Sequence, residues 1–73
     1  MRRLLIRQER IARELTQEYV GKMVGVTPEA IHLIETGQRN PSHEVMIKLL
    51  DLFGYDDPRQ LFADVEDNDT PQD

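Results

Sequence analysis

The stretch from Thr16 to Gly37, TQEYVGKMVGVTPEAIHLIETG, narrows the possible folds more than any other part of the chain. Thr16 is a good N-cap residue, and Val20 and Val24 stand four apart, on one face of the helix that follows. Gly25 ends that helix, because a residue without Cβ enters the left-handed conformation at little cost. The chain turns at Gly25-Val26. A second helix then opens with Thr27 as N-cap and Pro28 at the first helical position, where the missing N–H is no loss. Gly37 closes it.

Face analysis of the second helix gives it a direction. Advancing about 100° per residue, Thr27, Ala30, Ile31 and Ile34 fall together on a small or apolar side, which is expected to be buried. Pro28, Glu29, His32, Leu33 and Thr36 gather in an outward arc of roughly 140°. Two helices joined by a short glycine-containing turn, the second buried on one face only, have the layout of a helix-turn-helix. The second helix of such a pair is shaped to enter a DNA major groove.

The rest of the chain reads as support for this pair. An opening helix is expected from about Arg2 to Glu14, with two competing stripes: Leu5, Ala12 and Leu15 suit one, and Ile6 with Arg10 and Arg13 suits the other. Leu5, Ile6 and Leu15 are expected inside. After the pair, Gln38-Arg39-Asn40-Pro41 forms a turn, and Ser42 caps a fourth helix reaching Phe53. Met46, Leu49, Leu50 and Phe53 recur there at i, i+3, i+4 and i+7, the core-facing pattern. Gly54 stops it. Asp57, with Pro58 next and Gln60 three residues on, resembles a capping box for a short fifth helix carrying Leu61 and Phe62. The expected architecture is all-α: a compact five-helix domain over residues 1–62. Residues 63–73 form an acidic tail, almost free of apolar residues and expected to be disordered.

Composition removes several classes of function. Seventy-three residues at 38% hydrophobic content suffice for one small domain with a modest core. Cysteine is absent, so no disulfide framework or thiolate zinc site can form. An apolar run such as Leu4-Leu5-Ile6 is far short of a bilayer span or a signal-peptide core, which points to a soluble, cytoplasmic protein. His32 and His43 lie far apart without ligand spacing, and neither HExxH nor a glycine-rich phosphate loop is present. No enzyme activity, metal or cofactor is expected. The formal net charge of -5 runs against a DNA-binding role until it is divided along the chain. Residues 1–40 carry +2 and residues 41–73 carry -7, so the acidity is mostly C-terminal. Phosphate binding depends on local positive charge more than on the total.

LTQ at Leu15 to Gln17, Val20, the small Gly21, VGVT at Val24 to Thr27, Ile31, IETG at Ile34 to Gly37 and RNPS at Arg39 to Ser42 follow one another in a fixed order. Together they resemble the Cro and phage-repressor (XRE, lambda-repressor-like) helix-turn-helix family, from the opening helix to Phe62. The resemblance implies a sequence-specific DNA-binding transcriptional regulator, typically a repressor of phage or bacterial type. It also implies a homodimer on a near-palindromic operator, since one helix-turn-helix reads about half a site. One departure stands out. Family members often carry glycine or asparagine just before the LTQ leucine, where this chain has Glu14, and this leaves the end of the opening helix open.

Carried onto this chain, the resemblance places base-edge contacts near Pro28, Glu29, His32 and Leu33. Pro28 and Glu29 are equally good first-turn residues on structural grounds alone. As a reader, Glu29 would accept from cytosine N4–H, and Leu33 would meet a thymine methyl or else a protein surface. His32 is either a surface histidine or a donor to guanine or phosphate. Arginine, glutamine and asparagine are missing from the arc, so bidentate recognition of guanine or adenine is unavailable and readout would lean on methyl contacts, water and DNA shape. Gln17, Thr36, Arg39 and Asn40 are the phosphate candidates, and Arg10 and Glu35 match a family ion pair with a structural role. Phe53, Tyr55, Leu61 and Phe62 exceed what so small a core requires, and are either dimer face or core. The rival function keeps the fold but binds protein, as an antitoxin or anti-repressor-like partner would.

Overall fold

The computed structural model describes residues 4–65. Five helices follow in order: α1 (Leu5–Ala12), α2 (Gln17–Val24), α3 (Pro28–Glu35), α4 (His43–Phe53) and α5 (Pro58–Leu61). Among the described residues the nearest approach to a sheet is one antiparallel bridge between Leu4 and Asp64. The N-caps are those the sequence indicates. Thr16, Thr27 and Ser42 accept hydrogen bonds from Tyr19 N (3.0 Å), Ala30 N (3.1 Å) and Val45 N (3.3 Å). Asp57 caps α5 through Arg59 N (2.9 Å), and it is the Arg59 guanidinium, rather than Gln60, that closes back on it.

The opening helix is shorter than its periodicity suggests. It stops at Ala12, and Glu14 adopts a left-handed conformation with φ 58°. Glu14 N then bonds Ile11 O (2.9 Å) and Leu15 N bonds Arg10 O (3.1 Å), the paired reversal that satisfies the last carbonyls of a helix. A side chain at such a position costs about 1–2 kcal/mol. Glu14→Gly should therefore raise stability by about 0.5–1 kcal/mol, the rest being offset by glycine's larger entropy loss on folding. Glu14→Ala, which keeps a Cβ, should give no such gain. Thermal unfolding of the two variants checks this, with a rise of a few degrees expected for glycine alone.

The choice of stripe on α1 also differs from expectation. Leu4 and Ile6 are buried, whereas Leu5 and Leu15 are half-buried and Ala12 is exposed. The inward stripe runs from Ile6 to Arg10, one helical turn apart, because Arg10 has a buried partner on α3. The core is completed by Val20 and Val24 of α2, Ala30, Ile31 and Ile34 of α3, Leu49, Leu50 and Phe53 of α4, and Leu61 of α5. Met46 is only half-buried, and Thr27 is exposed because its side chain serves the cap.

Two of the four dimer-face candidates belong to this core. Phe53 is 2% exposed and Leu61 0%, so neither can meet a second protomer without unfolding its own. The small domain needs them because its helices are short and each buries only one to four side chains. Tyr55 and Phe62 are half-buried. Tyr55 fastens α1 to the turn after α4, its hydroxyl donating to Glu9 Oε2. Glu9 also pairs with Arg13, which donates to Phe53 O (3.1 Å) and lies over the Phe53 ring, 5.2 Å from its centroid. The Tyr55 hydroxyl, with Arg13 beside it, holds the Glu9 carboxyl below the usual carboxylate range, and Glu9 in turn raises the Tyr55 phenol.

Residues 63–65, assigned by the sequence to the tail, run beside the start of α1: Leu5 N bonds Ala63 O (2.9 Å) and Asp64 bridges Leu4. The expected disorder of the remaining tail falls outside the described residues.

Candidate nucleic-acid interface

The helix pair is held at three places. The first is the turn. Gly25 takes φ 87°, and both Gly25 N and Val26 N bond Gly21 O, at 2.7 and 2.8 Å. A Cβ built on Gly21 would sit 2.5 Å from the Val26 carbonyl oxygen, so the turn folds directly onto the middle of α2. The second is apolar contact, with Ala30, Ile31 and Ile34 of α3 turned inward against the core.

The third is a buried charge network. Glu35, at the end of α3, is 1% exposed and receives Arg10 Nε at 2.6 Å and Nη2 at 3.2 Å. Arg10 is 12% exposed and uses Nη1 to reach Leu15 O at 2.8 Å. Gln17 Nε2 donates to the same carboxylate at 3.2 Å. One glutamate thus ties α1, the first residue of α2 and the last of α3 into a unit. The expected Arg10–Glu35 pair is present, and the Gln17 link is an addition that sequence reasoning missed. No local signal in the sequence points to it, because Glu35 stands 18 positions from Gln17. One N–H of Gln17 is used in this way, and an amide has a second N–H and a carbonyl oxygen to offer elsewhere.

What α3 leaves outside follows from this anchoring. Pro28, Glu29 and His32 are exposed and Leu33 is half-buried, so the four base-reading candidates share the outer face of α3. Arg39 and Asn40 are exposed in the turn that follows. Thr36 departs from expectation. It is 7% exposed, and its hydroxyl lies 3.2 Å from both His32 O and Leu33 O while accepting from Gln38 Nε2 at 2.9 Å. Thr36 closes the helix end and is withdrawn from the outward arc. A second exposed pair, Tyr19 (45%) and Met23 (51%), lies one turn apart on α2. Both fall off the Val20–Val24 stripe, which is how the sequence could have located them. Among the described residues, no group of three or more His, Cys, Asp or Glu is arranged to hold a metal ion. Nor is any helix there long and apolar enough to cross a membrane.

Comparison with known proteins agrees with this geometry. Residues 6–58 match the helix-turn-helix family model, which spans most of the chain. The chain belongs to the XRE helix-turn-helix family. Among solved structures, this XRE protein is similar to the restriction-modification controller protein C.AhdI from Aeromonas hydrophila, at 33% identity and a TM-score of 0.65. The alignment covers 78% of this chain and 85% of that one. Among curated protein sequences, none matches the chain. The all-α fold is that of the C.AhdI controller, and membership of the XRE family makes the chain a DNA-binding regulator of transcription.

Proposed function

We propose that the protein is a sequence-specific repressor that binds a near-palindromic operator as a homodimer, each protomer laying α3 into a major groove. The observation that carries this reading is the division of α3: its inner face and Glu35 are fixed to the rest of the domain, while Pro28, Glu29, His32 and Leu33 are left facing out. Arg39 and Asn40 in the next turn supply the phosphate side of the contact, and Gln17 adds its remaining amide groups at the start of α2, where free N–H groups and the helix dipole favour an anion. Thr36 contributes by shaping the helix end. An acidic protein can act in this way because the groove-facing surface, not the whole molecule, meets the phosphates.

Base and phosphate contacts separate on substitution. Glu29→Ala should relax the preference at one base pair, with a discrimination loss of about 1–3 kcal/mol, and leave affinity for other sequences nearly unchanged. Arg39→Ala should weaken binding to all sequences alike and lower the salt slope by about one. Competition binding on single-base operator variants, repeated at several salt concentrations, checks both.

A protein-binding role is the second reading, favoured by Tyr19, Met23 and Ile47, large apolar side chains each about half exposed. An antitoxin or anti-repressor-like partner would cover such residues with another protein. The two roles are compatible, since α2 and α4 can meet a partner while α3 meets DNA.

A further inference from the structure

A groove of about 370 Å³ opens between the N-terminal end of the domain, the α3–α4 turn, α4 and α5. Its walls are apolar, formed by Leu4, Ile34, Met46 and Phe62. Arg39 and Arg59 also line it, and among the described residues no acid does. This size falls within the range of small-molecule sites, which are mostly apolar with a few polar groups that fix orientation. A smaller cavity of about 80 Å³ shares Ile34, Arg39 and Pro41 with the groove and reaches Val26 and Ala30. The space therefore continues toward the turn of the helix pair.

The two arginines differ in what they already hold. Arg59 pairs with Asp57 at 3.1 Å, whereas no described carboxylate pairs with the exposed Arg39 guanidinium. The Arg39 backbone is fixed by its N–H to Leu33 O at 3.2 Å, which holds the residue between the groove and the outer face of α3. The groove thus offers one uncommitted guanidinium beside an apolar surface. A ligand that complements both carries a single negative charge at the end of an apolar body. A carboxylate suits this role, because it meets a guanidinium through two parallel N–H···O bonds.

We propose that the groove binds a small monocarboxylate with an apolar body, its carboxylate on Arg39, and that the bound acid competes with DNA phosphate for that guanidinium. The competition rests on the DNA-binding reading above, in which Arg39 meets the DNA backbone; the binding of the acid does not. Such a ligand lowers affinity for every sequence by the same factor, because a phosphate contact carries no base information.

The probe is octanoate, titrated into the isotope-labelled full-length protein, with acetate and octanol as controls at matched ionic strength. The Arg39 side-chain and Met46 methyl resonances should shift saturably with octanoate and stay in place with acetate. Affinity should rise about two- to fourfold per methylene from butyrate to octanoate. Arg39→Ala, an exposed substitution that spares the core, should weaken octanoate binding by about two- to fivefold, the range of an exposed ion pair, and leave octanol binding unchanged. With DNA, saturating octanoate should weaken binding of a random-sequence duplex about two- to fivefold relative to acetate, and this effect should vanish in Arg39→Ala. An effect that persists there overturns the competition. If DNA binds but the groove resonances do not shift, the DNA reading stands and this inference fails. If no form binds DNA, that reading fails and takes the competition with it, and the groove titration alone decides the site. Loss of octanoate binding as sedimentation shows a dimer forming would put a second copy of the chain in the groove and overturn the inference.

Discussion

Glu35→Ala should destabilise the domain by about 3–5 kcal/mol, the range for removing one partner of a buried ion pair. The carboxylate is 1% exposed and accepts from two nitrogens of Arg10 and from Gln17. Its loss leaves a guanidinium at 12% exposure without its counter-charge and an amide without its acceptor. A chain of this size has about 4–11 kcal/mol of total stability, so the variant loses between about a quarter and all of it. Removing both charges at once, with Arg10→Met and Glu35→Leu, should recover much of the loss, because well-packed apolar residues often replace a buried pair at little cost. Chemical denaturation of Arg10→Met, Glu35→Leu and the double variant measures this directly. Additive losses in the double variant would mean that the two side chains act independently.

Gly21→Val should cost about 3 kcal/mol or more, through overpacking at a point that cannot yield. The clash is with backbone: the Val26 oxygen lies 2.5 Å, and the Thr27 carbonyl carbon and oxygen both 3.3 Å, from the position of an added Cβ. Relief requires moving the turn away from α2, which breaks the hydrogen bonds from Gly25 N and Val26 N to Gly21 O. The same displacement carries the start of α3, so DNA affinity should fall more than stability alone explains. Circular dichroism melting together with duplex titration of the folded fraction separates the two effects. An unchanged melting temperature would refute the close-approach account.

The helix pair was legible in the sequence because its signals are local. Thr16, Thr27 and Ser42 act as caps within three residues of themselves, and Gly25 and Gly37 reverse the chain where they stand. The inward turn of Ala30, Ile31 and Ile34 follows from helical spacing alone. What the sequence left undecided depends on distant partners. The α1 stripe is chosen by Glu35, 25 positions beyond Arg10, which draws Ile6 inward with it. Glu14 gives no local sign of a left-handed backbone, since its side chain neither favours nor caps it; only the family's usual glycine or asparagine there hinted at the reversal. Thr36 falls on the outward arc by angle, yet its hydroxyl is taken up by the end of its own helix and by Gln38. Phe53 and Leu61 looked surplus to a small core, but the short α5 contributes only Leu61 to it, and Phe53 receives Arg13 on its ring.

In the proposed function, α3 and the turn after it read and grip a specific duplex. The most direct test is selection of bound duplexes from a random DNA pool by the purified protein, followed by titration of the selected sequence at several salt concentrations. The expected result is a near-palindromic site with half-sites about one helical turn apart, and an affinity that falls linearly with salt on logarithmic axes. Enrichment of no sequence, with feeble binding even at low salt, would contradict it and turn attention to the apolar side chains of α2 and α4 as a protein-binding surface.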